Sequence, residues 1–205
     1  CGAVFILDNL GVNVSAVVAG LGIGGVAIAL AAQSVLGDLF SSFAIFMDKP
    51  FIVGDFIVVG DFKGEVERIG IKTTRVRSID GEQVIFSNSD LTNSRIRNYR
   101  RMETRRVAFQ LGVTYQTKIE QLKKIPPAVT EIIKGIDKAK LDRVHFLSFG
   151  DFSLNFEIVY YVLGNDYNLY MDVHQKINFA LKEKFEKEGI EFAYPTQTLF
   201  VTKDK

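Results

Sequence analysis

Residues 11–37 read GVNVSAVVAGLGIGGVAIALAAQSVLG, with six glycines, six alanines, branched aliphatics between them and no charge. The uncharged run extends from Asp8 to Asp38, 29 residues. As a helix rising about 1.5 Å per residue it spans roughly 44 Å, more than the ~30 Å hydrocarbon layer of a bilayer. It is too long for a signal peptide and lacks a basic segment before it. The small residues fall at helical spacing. Gly22, Gly25 and Ala29 follow one edge, and Ala19, Ile23 and Ala27 another. Small side chains let membrane helices approach closely, so a helix with two such edges fits a ring of identical copies.

The rest of the 205-residue chain is ordinary by contrast. Lys+Arg is 25 and Asp+Glu 24, giving a net charge of +1, which argues against binding a polyanion through bulk charge. Hydrophobic residues reach 47% and mean hydropathy is +0.13, an excess concentrated near the N-terminus. A greasy segment is thus joined to a charged globular body. The one cysteine, Cys1, excludes an internal disulfide framework. His145 and His174 have no cysteines at metal-ligand spacing and no nucleophile motif beside them, so neither a zinc site nor an enzyme is expected. No cofactor is expected either. The chain does not start with Met, which reads as a fragment or a processed product.

A soluble reading competes. Gly20-Leu-Gly-Ile-Gly-Gly25 matches G-x-G-x-x-G, the strand-like Val14 to Ala19 precedes it, and Asp48 lies where a ribose-binding acid would fall. The alternative is therefore a dinucleotide-binding enzyme using the Gly20–Gly25 loop. A third possibility is a non-conducting, membrane-tethered adaptor. Against the enzyme, no alternation of strands and helices follows, and the residues from Val26 to Gly37 carry no charge.

Beyond the glycines, Leu36, Leu39, Phe40, Phe43 and Met47 recur at helical spacing, with Asp38, Ser41 and Ser42 opposite. Ser34 and Gly37 are poor helix formers at the junction, so a kink is expected there. The helix should end before Lys49-Pro50. This is the pattern of a span that breaks and then lies along the membrane interface.

From Phe51 the signals are β. The turn pairs Gly54-Asp55, Gly60-Asp61 and Asp80-Gly81 separate short runs at 56–59, 66–71, 73–79 and 83–86, and a further strand is expected at 95–99. A compact all-β barrel or sandwich is expected. A βαββαβ order follows: strand 104–113, helix 117–135 interrupted at Pro126-Pro127, hairpin 144–150 and 154–162, helix 167–187 and short strand 190–193. This suggests a ferredoxin-like α+β domain. Residues 198–202 form an orphan strand that could pair with copies from other subunits. Arg95, Arg97, Arg100, Arg101, Arg105 and Arg106 cluster around one acid, Glu103. With little aromatic interleaving, they read as a solvated, intersubunit or cytoplasm-retaining face rather than as a nucleic-acid site.

The stretch Gly20 to Gln33, then Asp48-Lys-Pro-Phe51 with Gly54-Asp55, resembles the small-conductance mechanosensitive channel (MscS) family. Asp80-Gly81, Asn88, Ile96-Arg-Asn-Tyr99 and Gly189-Ile-Glu-Phe-Ala-Tyr-Pro195 fit it too. The resemblance implies a homoheptameric ring whose pore helix opens under membrane tension, passing ions and small osmolytes during hypo-osmotic stress. It implies residence in the bacterial inner membrane, with lipid as a partner and the residues after about 50 cytoplasmic. The domains would be 1–50, a pore-lining helix and kinked amphipathic helix; 51–112, an Sm-like β-barrel; 113–195, the α+β domain; and 196–205, a strand for an intersubunit barrel. Val26 and Leu30 match the pore constriction. Ala19, Gly22, Ile23, Gly25, Ala27 and Ala29 would pack helix on helix, and Phe40 and Phe43 would couple to the interface. Several residues depart from the family pattern. Val26 is smaller than the usual leucine and Ile23 larger than the usual packing residue. Ser34 replaces a kink glycine, which shifts the expected bend toward Gly37. Ser87 stands where proline is common, and the peripheral transmembrane helices are missing.

Overall fold

The computed structural model describes residues 14–197. The chain divides into two compact units, Cys1–Arg100 and Arg101–Lys205. The first contains helix α1 (Val14–Asp48), strands β1 (Phe56–Val59), β2 (Phe62–Ile69), β3 (Thr73–Ser78) and β4 (Gln83–Ser87), the short helix α2 (Asn88–Asn93) and strand β5 (Ile96–Asn98). The second contains β6 (Thr104–Val113), α3 (Ile119–Lys134), β7 (Ala139–Phe149), β8 (Leu154–Leu163) and α4 (Tyr167–Lys187).

Helix α1 passes through Gly20, Gly22, Gly24 and Gly25 without a break. The segment that resembles a strand and phosphate loop is therefore helix throughout, and the dinucleotide reading fails on its first requirement, a strand ahead of the glycines. The helix bends by 46° between Val17–Gln33 and Val35–Asp48. Among the described residues no single helix is long and apolar enough to cross a membrane, although this bent pair has the length and composition to do so.

The β-sheet has the order β4-β3-β2-β1-β5, antiparallel at every pairing. Its inward positions alternate with exposed ones. Ile57, Val59, Val66, Val76 and Phe86 form the core with Leu91 of α2, Ile45 of α1 and Phe51. Gly81, with φ of +97°, makes the β3–β4 turn that Asp80-Gly81 predicts. Gly64 is required for a different reason. A Cβ there would lie 2.1 Å from the Arg77 carbonyl oxygen, so only glycine lets β2 and β3 approach. Ser87 caps α2, its hydroxyl accepting from the Asp90 N–H at 3.1 Å. The sheet is open, with β4 and β5 as its edges, so the closed barrel expected from sequence is not formed within the described chain. Closure would need the three-residue β5 to reach β4 across α2, which separates them in sequence.

In the second unit β8 is central, in the order β6-β8-β7. Helices α3 and α4 bury Ile125, Val129 and Ile133, and Val173, Ile177, Leu181 and Phe185, in one core with the sheet. The α4 bounds coincide with the expected helix, and Asp166 caps it by accepting from the Asn168 and Leu169 N–H groups. The fourth strand expected at 190–193 is reduced to one antiparallel bridge, Val113↔Phe192. That bridge lies on the free edge of β6, so the order 4-1-3-2 of a ferredoxin-like sheet is kept in outline. Two further expectations need correction. Pro126 and Pro127 lie inside α3 without ending it; Ile125 and Val129 on either side of them are buried in the core and hold the turn in place. The boundary expected at 112/113 falls instead at 100/101, because Thr104–Val113 pairs along its whole length with β8. The strand expected at 198–202 lies outside the described residues.

Candidate functional site

Every residue from 18 to 31 is exposed in the chain. Val26 and Leu30, one turn apart on one face, are 61% and 66% exposed, and with Gly22, Ile23 and Ala27 they line a shallow apolar groove. Ala19, Gly25 and Ala29 are likewise exposed. A Cβ added at Gly20, Gly22, Gly24 or Gly25 would meet nothing within 4 Å. No contact among the described residues therefore calls for these glycines, although each costs a helix interior roughly 1 kcal/mol relative to alanine. The bend sits between Gln33 and Val35, three residues ahead of Gly37.

Beyond the bend, α1 is amphipathic in an unusual sense: its polar side is turned into the protein. Asp38, 5% exposed, accepts from the Ser89 N–H at 3.1 Å and the Ser89 hydroxyl at 2.6 Å. The Thr92 hydroxyl donates to Ser41 Oγ at 2.9 Å, and Ser42 reaches the Gly70 carbonyl at 3.4 Å. Ile45 follows on the same side, 2% exposed. The opposite side presents Leu36, Leu39, Phe40, Phe43, Phe46 and Met47, all about half exposed or more, with Phe40 and Phe43 at 69% and 63%. A helix that turns two serines and an aspartate into the protein while leaving two phenylalanines open has its docking face and its apolar face reversed relative to a soluble protein.

The face of the β-domain that receives α1 is organised by Asn88, which is fully buried. Its side chain accepts from Thr74 Oγ1 at 2.9 Å and donates to the carbonyls of Gly70 and Ile71 at 2.8 and 3.2 Å. It thus fixes the β2–β3 loop that Ser42 touches and the start of the helix that Asp38 touches. Sequence reasoning placed Asp38 on a polar face but missed its burial. The signal available was an acid isolated in the otherwise uncharged run 9–47, with two serines three and four residues further on.

The arginine cluster does not act as a unit. Arg95, Arg97, Arg100, Arg101 and Arg106 are exposed, whereas the Arg105 guanidinium lies over the rings of Tyr167 and Tyr170 at 5.6 and 5.1 Å. His174, between Val173 and Ile177 on α4, faces a cluster of aromatic rings. It is half-buried, stacked on Tyr170 and edge-on to Phe109, with Nδ1 2.8 Å from the Tyr160 hydroxyl. Burial holds its imidazole below the ordinary histidine value and pushes the Tyr160 phenol up.

Comparison with known proteins gives this arrangement a family. Residues 1–33 match the model for transmembrane helices 2/3 of mechanosensitive ion channels, residues 34–101 the mechanosensitive ion channel β-domain, and residues 107–192 the MscS C-terminal domain. The chain belongs to the MscS family of mechanosensitive ion channels, a family of channels and not of enzymes. It is 40% identical over 200 residues to the small-conductance mechanosensitive channel MscMJ of Methanocaldococcus jannaschii, covering 97% of this chain and 57% of that protein. It is 37% identical over 208 residues to the large-conductance channel MscMJLR of the same organism, covering 99% and 58%. The chain thus spans a little over half the length of these relatives. Among solved structures, Helicobacter pylori MscS in its closed state superposes with a TM-score of 0.76 at 25% identity, over 98% of this chain and 79% of that one. Arabidopsis thaliana MSL1 shares the fold, with a TM-score of 0.80 at 23% identity over 95% and 71%.

Proposed function

We propose that the protein of which this chain is part is a mechanosensitive ion channel, opened by membrane tension and passing ions and small osmolytes during hypo-osmotic stress. It assembles as a homoheptamer in the bacterial inner membrane, with the residues after about 50 on the cytoplasmic side. The observation that carries this reading is the exposed stretch 18–31, an apolar, glycine-rich helix that nothing among the described residues covers. Water does not tolerate such a surface in isolation. Lipid satisfies its apolar side chains, and copies of the same helix give its glycines a purpose, since only small residues let helix backbones approach and slide.

In the ring, Val26 and Leu30 face the axis as two apolar girdles one turn apart. A constriction so lined empties of water and blocks ions without a plug. Ala19, Gly22, Ile23, Gly25, Ala27 and Ala29 form the sliding seams between neighbours. Ser34 and Gly37 give the hinge region where pore helix and interfacial helix part. Phe40 and Phe43, on the face turned away from the β-domain, anchor the lower half in the membrane interface, so that tension acts on a lever already docked to the cytoplasmic body through Asp38, Ser41 and Ile45. The β-domains close the ring beneath the membrane.

Extraction of the full-length protein in mild detergent followed by mass measurement tests the assembly. Seven-subunit particles support the reading; a monomer or dimer that stays soluble without detergent contradicts it.

A further inference from the structure

Between α1 and β1 the chain makes an elbow. Lys49 adopts a positive φ of 46°, Pro50 follows, Phe51 is buried, and Gly54, at φ +89°, leads into Asp55. Asp55 is 3% exposed, and its Oδ2 accepts from the Ile52 N–H at 3.0 Å and from Asn98 Nδ2 at 2.7 Å. Asn98 Nδ2 also donates to the Pro50 carbonyl at 3.2 Å, and Asn98 Oδ1 accepts from the Arg100 N–H at 3.0 Å. One side chain therefore joins the start of the elbow, its end, and the segment leaving the first unit after β5.

The fold does not need this connection. Strand β5 is already held to β1 by the ladder from Ile57↔Asn98 to Val59↔Ile96 and by the Tyr99 N–H to Phe56 carbonyl bond at 2.9 Å. The elbow is already seated by Phe51, 1% exposed, and by the Gly54 N–H to Val66 carbonyl bond at 2.8 Å. A carboxylate placed out of water beside these contacts costs free energy unless it is hydrogen-bonded, and what its hydrogen bonds add is a fixed geometry between two chain segments 43 residues apart.

We propose that Asp55 and Asn98 are positioning residues for gating. They set the angle at which the membrane helix leaves the β-domain and carry to that helix any force reaching the segment after β5. The gating part rests on the channel reading above; the joint itself does not.

The test uses full-length protein in liposomes, with amide hydrogen exchange and tension-ramp recording on Asp55→Ala, Asn98→Ala, the double variant and Asp55→Asn. In either alanine variant, exchange over residues 50–55 rises about fivefold or more, the change expected from losing one hydrogen bond of ordinary net strength, while β2 and β3 keep wild-type protection. The double variant shows less than the sum of the singles, because the lost bonds are shared. Asp55→Asn, which keeps an acceptor oxygen, stays near wild type in exchange and in opening tension, whereas the alanine variants shift the opening tension. Wild-type exchange at the elbow in both alanine variants overturns the joint, and so does acceleration spread evenly through the β-domain. Altered elbow exchange with an unchanged opening tension overturns the gating role. Should wild-type protein fail to conduct under tension, the channel reading falls together with the gating role, and the exchange results still decide the joint.

Discussion

The Asp38 carboxylate accepts two hydrogen bonds from Ser89, one from the backbone N–H at 3.1 Å and one from the hydroxyl at 2.6 Å, across 51 residues of chain. It ties the helix assigned to the membrane to the first turn of a six-residue helix in the β-domain, and it is nearly closed to water. Asp38→Ala should leave both Ser89 donors without this acceptor and loosen the docking. Asp38→Asn should be milder, since an amide oxygen can still accept. Amide exchange at Ser89 reads the difference, with the alanine variant exchanging at least several-fold faster than the asparagine one.

Ile45 and Phe43 are neighbours in sequence with opposite surroundings, 2% and 63% exposed. Ile45→Ala should destabilise the first unit by about 2–5 kcal/mol, as for other buried aliphatics. Phe43→Ala should change its stability by less than about 0.5 kcal/mol, yet weaken partitioning of this helix into lipid. Thermal denaturation in detergent and vesicle binding separate the two effects.

Among the described residues nothing lies within 4 Å of a Cβ built on Gly25. Gly25→Leu is therefore expected to leave the secondary structure and the two cores intact, with a slightly more favourable helix. Any seam between copies would be blocked. Circular dichroism should match wild type while the mass of the detergent-extracted particle falls or becomes heterogeneous. An unchanged ring would remove Gly25 from the seam.

Much of this was legible in the sequence because the signals are local. The turn pair Asp80-Gly81, the alternation 154–162 and the 3.6-residue spacing of Val173, Ile177, Leu181 and Phe185 each specify their element within a dozen residues. The unread features are long-range. Ser89 is as distant from Asp38 in sequence as Thr92 is from Ser41, so no local pattern announces the docking. The dinucleotide motif misled because closely spaced glycines suit a phosphate loop and a helix seam equally well; only the state of residues 14–19 separates the two. Pro126-Pro127 misled because core packing of Ile125 and Val129 holds a turn that the prolines alone would weaken, and that packing needs the tertiary fold.

His174 offers a pH test away from the membrane. Burial lowers its pKa below the ordinary 6.5, so the folded form resists a proton that the unfolded chain accepts. This contribution to stability is complete above that value and is lost as pH falls through it. His174→Gln keeps a hydrogen-bonding side chain but cannot titrate. The thermal midpoint of wild type relative to His174→Gln should therefore drop as pH falls below about 6.5. A constant difference would show that the histidine is not held neutral.

Tension-ramp recording of the full-length protein in liposomes, wild type beside Leu30→Ser, tests most directly whether the bare glycine-and-alanine helix lines a gated aqueous pore. Wild type should give stepwise currents at a reproducible tension. Leu30→Ser should open at lower tension, because a hydroxyl hydrates the constriction that leucine keeps dry. Silence up to rupture of the membrane, or a serine variant with an unchanged or higher threshold, would contradict it.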